Sequence, residues 1–139
     1  GNPPEKFARV YARCARLGFH LVAHAGEEGP ADYVRSALDI LGVARIDHGV
    51  RSSDDPELLQ ILIQRQIPLT VCPLSNLKLG VVHDLSEHNL ARLLRAGAMI
   101  TLNADDPAYF GGYVLDNYVA SAAALDLSHD ELVTLPPTA

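Results

Sequence analysis

The chain has 139 residues, 48% hydrophobic and 20% charged, with no tryptophan and a formal net charge of −6, which is the profile of one ordinary globular domain at most. No run approaches the ~18 consecutive apolar residues of a membrane span, and no basic start followed by an apolar stretch marks a secretory signal, so no membrane partner is expected and a cytoplasmic location is. The acidic balance suits no nucleic-acid backbone, and Cys14 and Cys72 sit in no CxxC, so neither a disulfide framework nor a zinc ribbon is suggested.

Pro3-Pro4 lead into a first helix, whose stripe Phe7, Val10, Tyr11, Cys14 and Leu17 recurs at three- and four-residue steps and stops at Gly18. Leu21-Val22-Ala23 reads as a short strand ending at His24. Val34, Ala37, Leu38 and Leu41 predict a second helix closed by Gly42, and Ala44-Arg45-Ile46 a second strand running into Asp47-His48-Gly49. Asp55 as N-cap and Pro56 at the first helical position open a third helix with Leu58, Ile61 and Leu62 inward. Residues 68–71 form a third strand before Cys72 to Asn76. Leu90, Leu93 and Leu94 make a fourth helix ended by Gly97, and residues 99–102 a fourth strand before Asn103 to Asp106. Val114, Tyr118, Ala122 and Leu125 make a fifth helix. Ser128 with Glu131 is a capping box for a last helix, which meets Leu135-Pro136-Pro137 and is expected to be cut short.

His24, His48, Ser75 and Asp105 follow one another at intervals of 24, 27 and 30 residues, the length of one strand, one helix and two short loops. Strands alternating with helices imply a parallel sheet. No Gly-rich phosphate loop follows any strand. All four strands instead end in reactive side chains, which favours part of a (β/α)₈ barrel over a doubly wound sheet. A whole barrel takes ~250 residues, so residues 1–139, with four units, are expected to be one partial α/β domain, half of a barrel.

A histidine leaving a strand, two small residues and a carboxylate, as in His24-Ala-Gly-Glu27, would set a metal ligand and an acid/base group on one rim. Taken alone it also reads as a solvated loop. Asp105-Asp106-Pro107 puts two repelling carboxylates at a strand end, and burying them calls for a cation or a hydrogen-bonded partner. Asp106 could instead be a helix N-cap, which leaves Asp105 unexplained. Asp47-His48 is a candidate base with an orienting carboxylate, although strict alternation points the two to opposite faces. Cys72 to Asn76 reads either as a source of substrate hydrogen bonds or as a polar turn. Jointly, these residues at one end of successive strands predict a metal-assisted hydrolase site. His20, His83, His88 and His129 are read as structural or solvated.

In order, His24-Ala-Gly-Glu27, Arg45-Ile-Asp-His48-Gly49, Cys72-Pro-Leu-Ser-Asn76 and Leu102-Asn-Ala-Asp-Asp-Pro107 resemble the adenosine/adenine deaminase family of metal-dependent (β/α)₈ aminohydrolases, over nearly the whole chain. Residues 45–50, 69–79 and 106–113 are similar to its adenine deaminase branch. The resemblance implies zinc held by His24 and Asp105, with Glu27 protonating purine N1 while C6 is attacked. It implies His48 as the residue that orients or deprotonates the water, and Asp106 as a substrate-binding carboxylate near N7. The family's His-x-His is absent from this sequence, so the resemblance covers strands five to eight, the C-terminal half, with the two other zinc ligands expected in the N-terminal half. The implied substrate is a small purine: adenine, with adenosine or a modified adenine as the alternative. A phosphate-bearing AMP is disfavoured by the lack of an Arg/Lys cluster at the strand ends. A non-catalytic half-barrel interaction domain, associating through open sheet edges, is the competing class.

Overall fold

The computed structural model describes residues 2–135, and the Pro136-Pro137 pair expected to stop the last helix lies outside them. Four short strands, β1 (Val22–Ala25), β2 (Arg45–His48), β3 (Leu69–Val71) and β4 (Ile100–Leu102), form one sheet in the order β1-β2-β3-β4. Every pair is parallel. Register aligns Ala23, Ile46, Leu69 and Ile100 in one row and His24, Asp47, Thr70 and Thr101 in the next. Because successive side chains alternate faces, the first row belongs to the apolar core with Val34, Leu58, Leu62, Leu90 and Leu93. The second row is entirely polar and belongs to the opposite face.

Helices fill the intervals. α1 (Ala8–Arg16) follows a 3₁₀ turn over Pro4–Phe7, and α2 (Ala31–Ser36) runs into a π-helical turn, Ala37–Leu41, closed by Gly42 at φ 65°. α3 (Pro56–Gln64) begins as expected, the Asp55 carboxylate accepting the N–H groups of Glu57 and Leu58. α5 (Leu90–Arg95), α6 (Pro107–Phe110), α7 (Val114–Leu125) and α8 (His129–Thr134) complete the set after α4 (Pro73–Lys78). The capping box of α8 is formed, Ser128 accepting from the Glu131 N–H and Glu131 from the Ser128 N–H. No helix among the described residues is long and apolar enough to cross a membrane.

Three expectations change. The α1 stripe is not core: α1 buries no residue, Phe7, Val10 and Leu17 are exposed, and Tyr11 is tied by its hydroxyl to the Val22 carbonyl at 2.8 Å. Periodicity identified the helix without identifying what covers it. α7 buries Asn117 and Ser121 rather than its apolar stripe, because the Asn117 side-chain oxygen accepts the Leu74 N–H at 3.0 Å and so helps fix the start of α4. Cys72 to Asn76, read either as a source of substrate hydrogen bonds or as a polar turn, runs into α4, opened by Pro73 at its first position.

The β1 and β2 ends are locked together by backbone: the Gly49 N–H donates to the Ala25 carbonyl and the Arg51 N–H to the Gly26 carbonyl. Gly26 stands at φ +68°, and a Cβ there would lie 2.4 Å from Val34 Cγ2. Gly26→Ala is therefore expected to cost about 2–4 kcal/mol, combining a left-handed backbone with overpacking. Urea denaturation measures it, and an unchanged midpoint at constant m would count against the packing described here.

Candidate active site

At the C-terminal ends of the strands lies a cleft of about 360 Å³ whose lining includes His24, Asp47, His48, Cys72 and Asp105. The strand-to-loop transitions put them there. His48 and Asp105 both adopt left-handed backbone, φ 66° and 61°, an uncommon state for residues other than glycine that tends to mark functional positions. This twist at His48 breaks the alternation of β2, so Asp47 and His48 both line the cleft instead of facing opposite ways.

Asp47 does not orient His48; it belongs to His24. Its Oδ2 lies 3.4 Å from His24 Nδ1, while Oδ1 accepts from Arg45 Nε at 2.9 Å and Thr70 Oγ1 at 3.0 Å. A carboxylate facing Nδ1 favours the proton on that nitrogen and leaves Nε2 as a lone-pair donor, the usual arrangement behind a metal-binding histidine. The His24 side chain is 72% exposed.

His48 is buried and meets Glu27 instead. Its Nδ1 is 3.2 Å from Glu27 Oε1, yet off-line, so that this buried nitrogen makes no hydrogen bond. Burial, then the neighbouring His24 ring, lowers the His48 pKa below the ordinary histidine value, and Asp105 and Asp47 offset part of that. The imidazole is thus neutral near pH 7. Burial also pushes the Glu27 carboxyl up to about 7, helped by Asp105 and Glu28 and opposed by a 2.8 Å hydrogen bond from Asn76 Nδ2. An acid poised there can hold and give a proton at working pH.

The Asp105-Asp106 pair is not buried, as the sequence suggested, but exposed, and water screens its repulsion. Asp105 Oδ2 accepts from the buried Ser75 hydroxyl at 2.7 Å. Asp106 occupies the N-cap position of α6, but its side chain caps nothing and is exposed, so the side-chain cap is not formed.

The donor chemistry fits a metal, though not only through the expected His24 and Asp105. The one cluster of possible ligand atoms among the described residues is His48, Cys72 and Asp105, within 4.8 Å of one another. His24 lies outside it, its ring centroid 5.1 Å from that of His48. Burial, then Asp105, Glu27 and Asp47, push the Cys72 thiol up to about 12, so with no cation beside it the group is a protonated thiol at neutral pH. The orphaned His48 nitrogen and the Asp47-oriented His24 ring are the features that suit a cation.

Sequence reasoning left the roles of Ser75 and Asn76 open and did not foresee those of His88 and Asp47. Ser75, Asn76 and His88 are buried, and Asn76 and His88 are in contact, His88 Nε2 to Asn76 Oδ1, at 3.0 Å. Asp47 was paired with the wrong histidine. The α4 helix carried the signal for the first two, since Pro73 at a helix start turns a polar turn into a helix aimed back at the strand ends. Nothing in the sequence linked His88 to residue 76. Tyr109 and Tyr113, in the stretch 106–113, are largely exposed.

The adenosine deaminase family model matches residues 1–139. An adenine deaminase of Acinetobacter baylyi is 64% identical over 135 residues, which are 97% of this chain and 41% of that protein. Another, from Cupriavidus pinatubonensis, is 66% identical over 127 residues, 91% of this chain and 36% of its own length. The crystal structure of adenine deaminase from Arthrobacter aurescens superposes with a TM-score of 0.94 at 52% identity, covering 97% of this chain and 41% of its own. An amidohydrolase from Burkholderia ambifaria with bound Zn superposes with a TM-score of 0.86 at 30% identity, covering 95% of this chain and 37% of its own. The chain thus spans about 41% or less of the length of these relatives. Its four β/α units are half of a (β/α)₈ barrel, as expected.

Proposed function

Because the chain belongs to the adenosine deaminase family, a family of metal-dependent hydrolases, we propose that these residues form the acid/base half of a zinc-dependent adenine deaminase, which converts adenine and water to hypoxanthine and ammonia. The carrying observation is Glu27, a carboxyl raised to about 7 that lies 3.2 Å from the ring of His48, which lines the cleft with His24 and Asp105. The similarity to adenine deaminases favours adenine over adenosine, and disfavours a non-catalytic interaction module.

In this reading His24 and Asp105 hold the zinc, with two further histidines from outside this chain. Zinc, when bound, lowers the pKa of a water ligand towards neutrality. Neutral His48 accepts a proton from the attacking water, and Glu27 gives one to purine N1 as C6 becomes tetrahedral. Asp106 takes a hydrogen bond from the ring near N7. The amino group then takes the proton held by His48 and leaves as ammonia as the C6–N bond breaks, and the C6 hydroxyl returns its proton to Glu27, which restores both groups. Small purines are the partners, and the cytoplasm is where we place the enzyme. We also read the outer edges of β1 and β4, each paired on one side only among the described residues, as surfaces through which this chain can self-associate.

Substrate choice tests the reading. In a full-length barrel carrying residues 1–139, kcat/KM for adenine should exceed that for adenosine by at least about tenfold, the low end of what a closed pocket achieves against extra bulk. A ratio favouring adenosine would assign the site to the other branch of the family.

A further inference from the structure

Behind Glu27 runs a buried hydrogen-bond relay that the reaction outlined above does not use. The Leu90 backbone N–H, at the start of α5, donates to His88 Nδ1 at 3.0 Å. His88 Nε2 is 3.0 Å from Asn76 Oδ1, and Asn76 Nδ2 is 2.8 Å from Glu27 Oε1. His88 is 4% exposed and Asn76 not at all.

The direction of this relay is fixed at its far end. A backbone N–H can only donate, so His88 Nδ1 must be the acceptor, and a neutral imidazole then carries its proton on Nε2. Burial pulls the His88 pKa down to about 4, which keeps the ring neutral over the working range. Nε2–H must in turn meet the oxygen of the Asn76 amide. A flipped amide would set its N–H groups against Nε2–H, donor against donor, inside the protein, and an unmet buried donor is costly. The amide nitrogen therefore always points at Glu27.

We propose that His88 is a positioning residue for the deamination: acting through Asn76, it makes Glu27 Oε1 a permanent acceptor and so assigns the transferable proton to Oε2. Without the relay the Asn76 amide can turn, either oxygen of Glu27 can carry the proton, and half of the protonated molecules hold it on the oxygen already engaged by the protein. The inference rests on Glu27 being the proton donor of the proposed reaction.

The test uses a full-length barrel carrying these residues. His88→Phe, which fills the space without a donor, is expected to lower kcat about tenfold, the scale of one hydrogen bond to an ionisable group, with KM for adenine and bound metal unchanged. His88→Gln keeps an N–H near the place of Nε2 and should retain most of kcat. In an Asn76→Ala background His88→Phe should cost nothing further, since the relay is already cut. Additive losses, or a Gln variant as slow as Phe, would overturn the relay. ¹⁵N NMR of the unsubstituted protein should show His88 as the neutral Nε2–H tautomer at pH 7, and the Nδ1–H form or the imidazolium would overturn it even if the variants fail to fold. If Glu27→Gln abolishes turnover while His88→Phe leaves kcat intact, the inference alone fails. If Glu27→Gln is fully active, the proposed function fails with it.

Discussion

Glu27→Gln, in a full-length barrel carrying these residues, lowers adenine turnover by at least ~100-fold, the usual scale for losing a general acid, and leaves bound metal unchanged. Glutamine keeps the carbonyl oxygen that Asn76 donates to, so shape and packing survive while the transferable proton does not. The same substitution stabilises the metal-free protein, and the sign follows from linkage. The folded-state pKa of Glu27 is raised from 4.5 to about 7, so the fold binds its proton more tightly than the unfolded chain does. That contribution is complete below about pH 4.5 and is lost as pH rises to about 7. At pH 8 the wild type carries a poorly solvated carboxylate, a cost of roughly 2–3 kcal/mol after allowing for the 18% of the side chain that water reaches. Gln removes it. Denaturation of both proteins at pH 5 and pH 8 measures the difference, which should grow with pH. Wild-type turnover in the variant would remove Glu27 from the chemistry, and a pH-independent stability difference would remove the burial that sets its pKa.

His24→Ala in the same barrel should weaken zinc binding by at least ~100-fold and reduce turnover to background. Asp47→Ala, which removes only the carboxylate facing His24 Nδ1, should weaken zinc by about 10–100-fold. The gradation is the informative part. Competition with a chelator of known affinity reads both variants without reference to activity. Equal zinc affinity in the His24 variant and wild type would take His24 out of the ligand set and leave His48 and Asp105, the cluster of ligand atoms seen in the cleft, to hold the metal.

The fold was legible because every strand has the same local grammar, a β-type apolar run stopped by polar residues at a near-constant interval. His24, Glu27, His48 and Asp105 were legible for the same reason: strand ends of a parallel sheet converge whatever the loops do. What surrounds them was not. Asp47 was assigned to His48 because alternation was assumed to continue through a residue that in fact turns left-handed. Ser75 and Asn76 looked like a polar turn because single residues do not announce a short helix. His88 joins Asn76 across 12 positions of sequence and only through folding. The α1 stripe shows the converse limit, a clear period in which Tyr11 packs against the core while Phe7, Val10 and Leu17 stay exposed.

The row His24, Asp47, Thr70 and Thr101 runs across the sheet by register alone, and this divides the chain into stretches that tolerate change of length and stretches that do not. Residues added on the helix side, for instance between 81 and 87, lengthen a connection and leave the row intact. One residue inserted or lost within β2 would move Asp47 out of line and bring Ile46 or His48 opposite His24, exchanging the polar face for the apolar one in a single step. Among homologues of this chain, gaps should gather on the far side of the helices, and the strands, though only three or four residues long, should keep their length where their side chains drift.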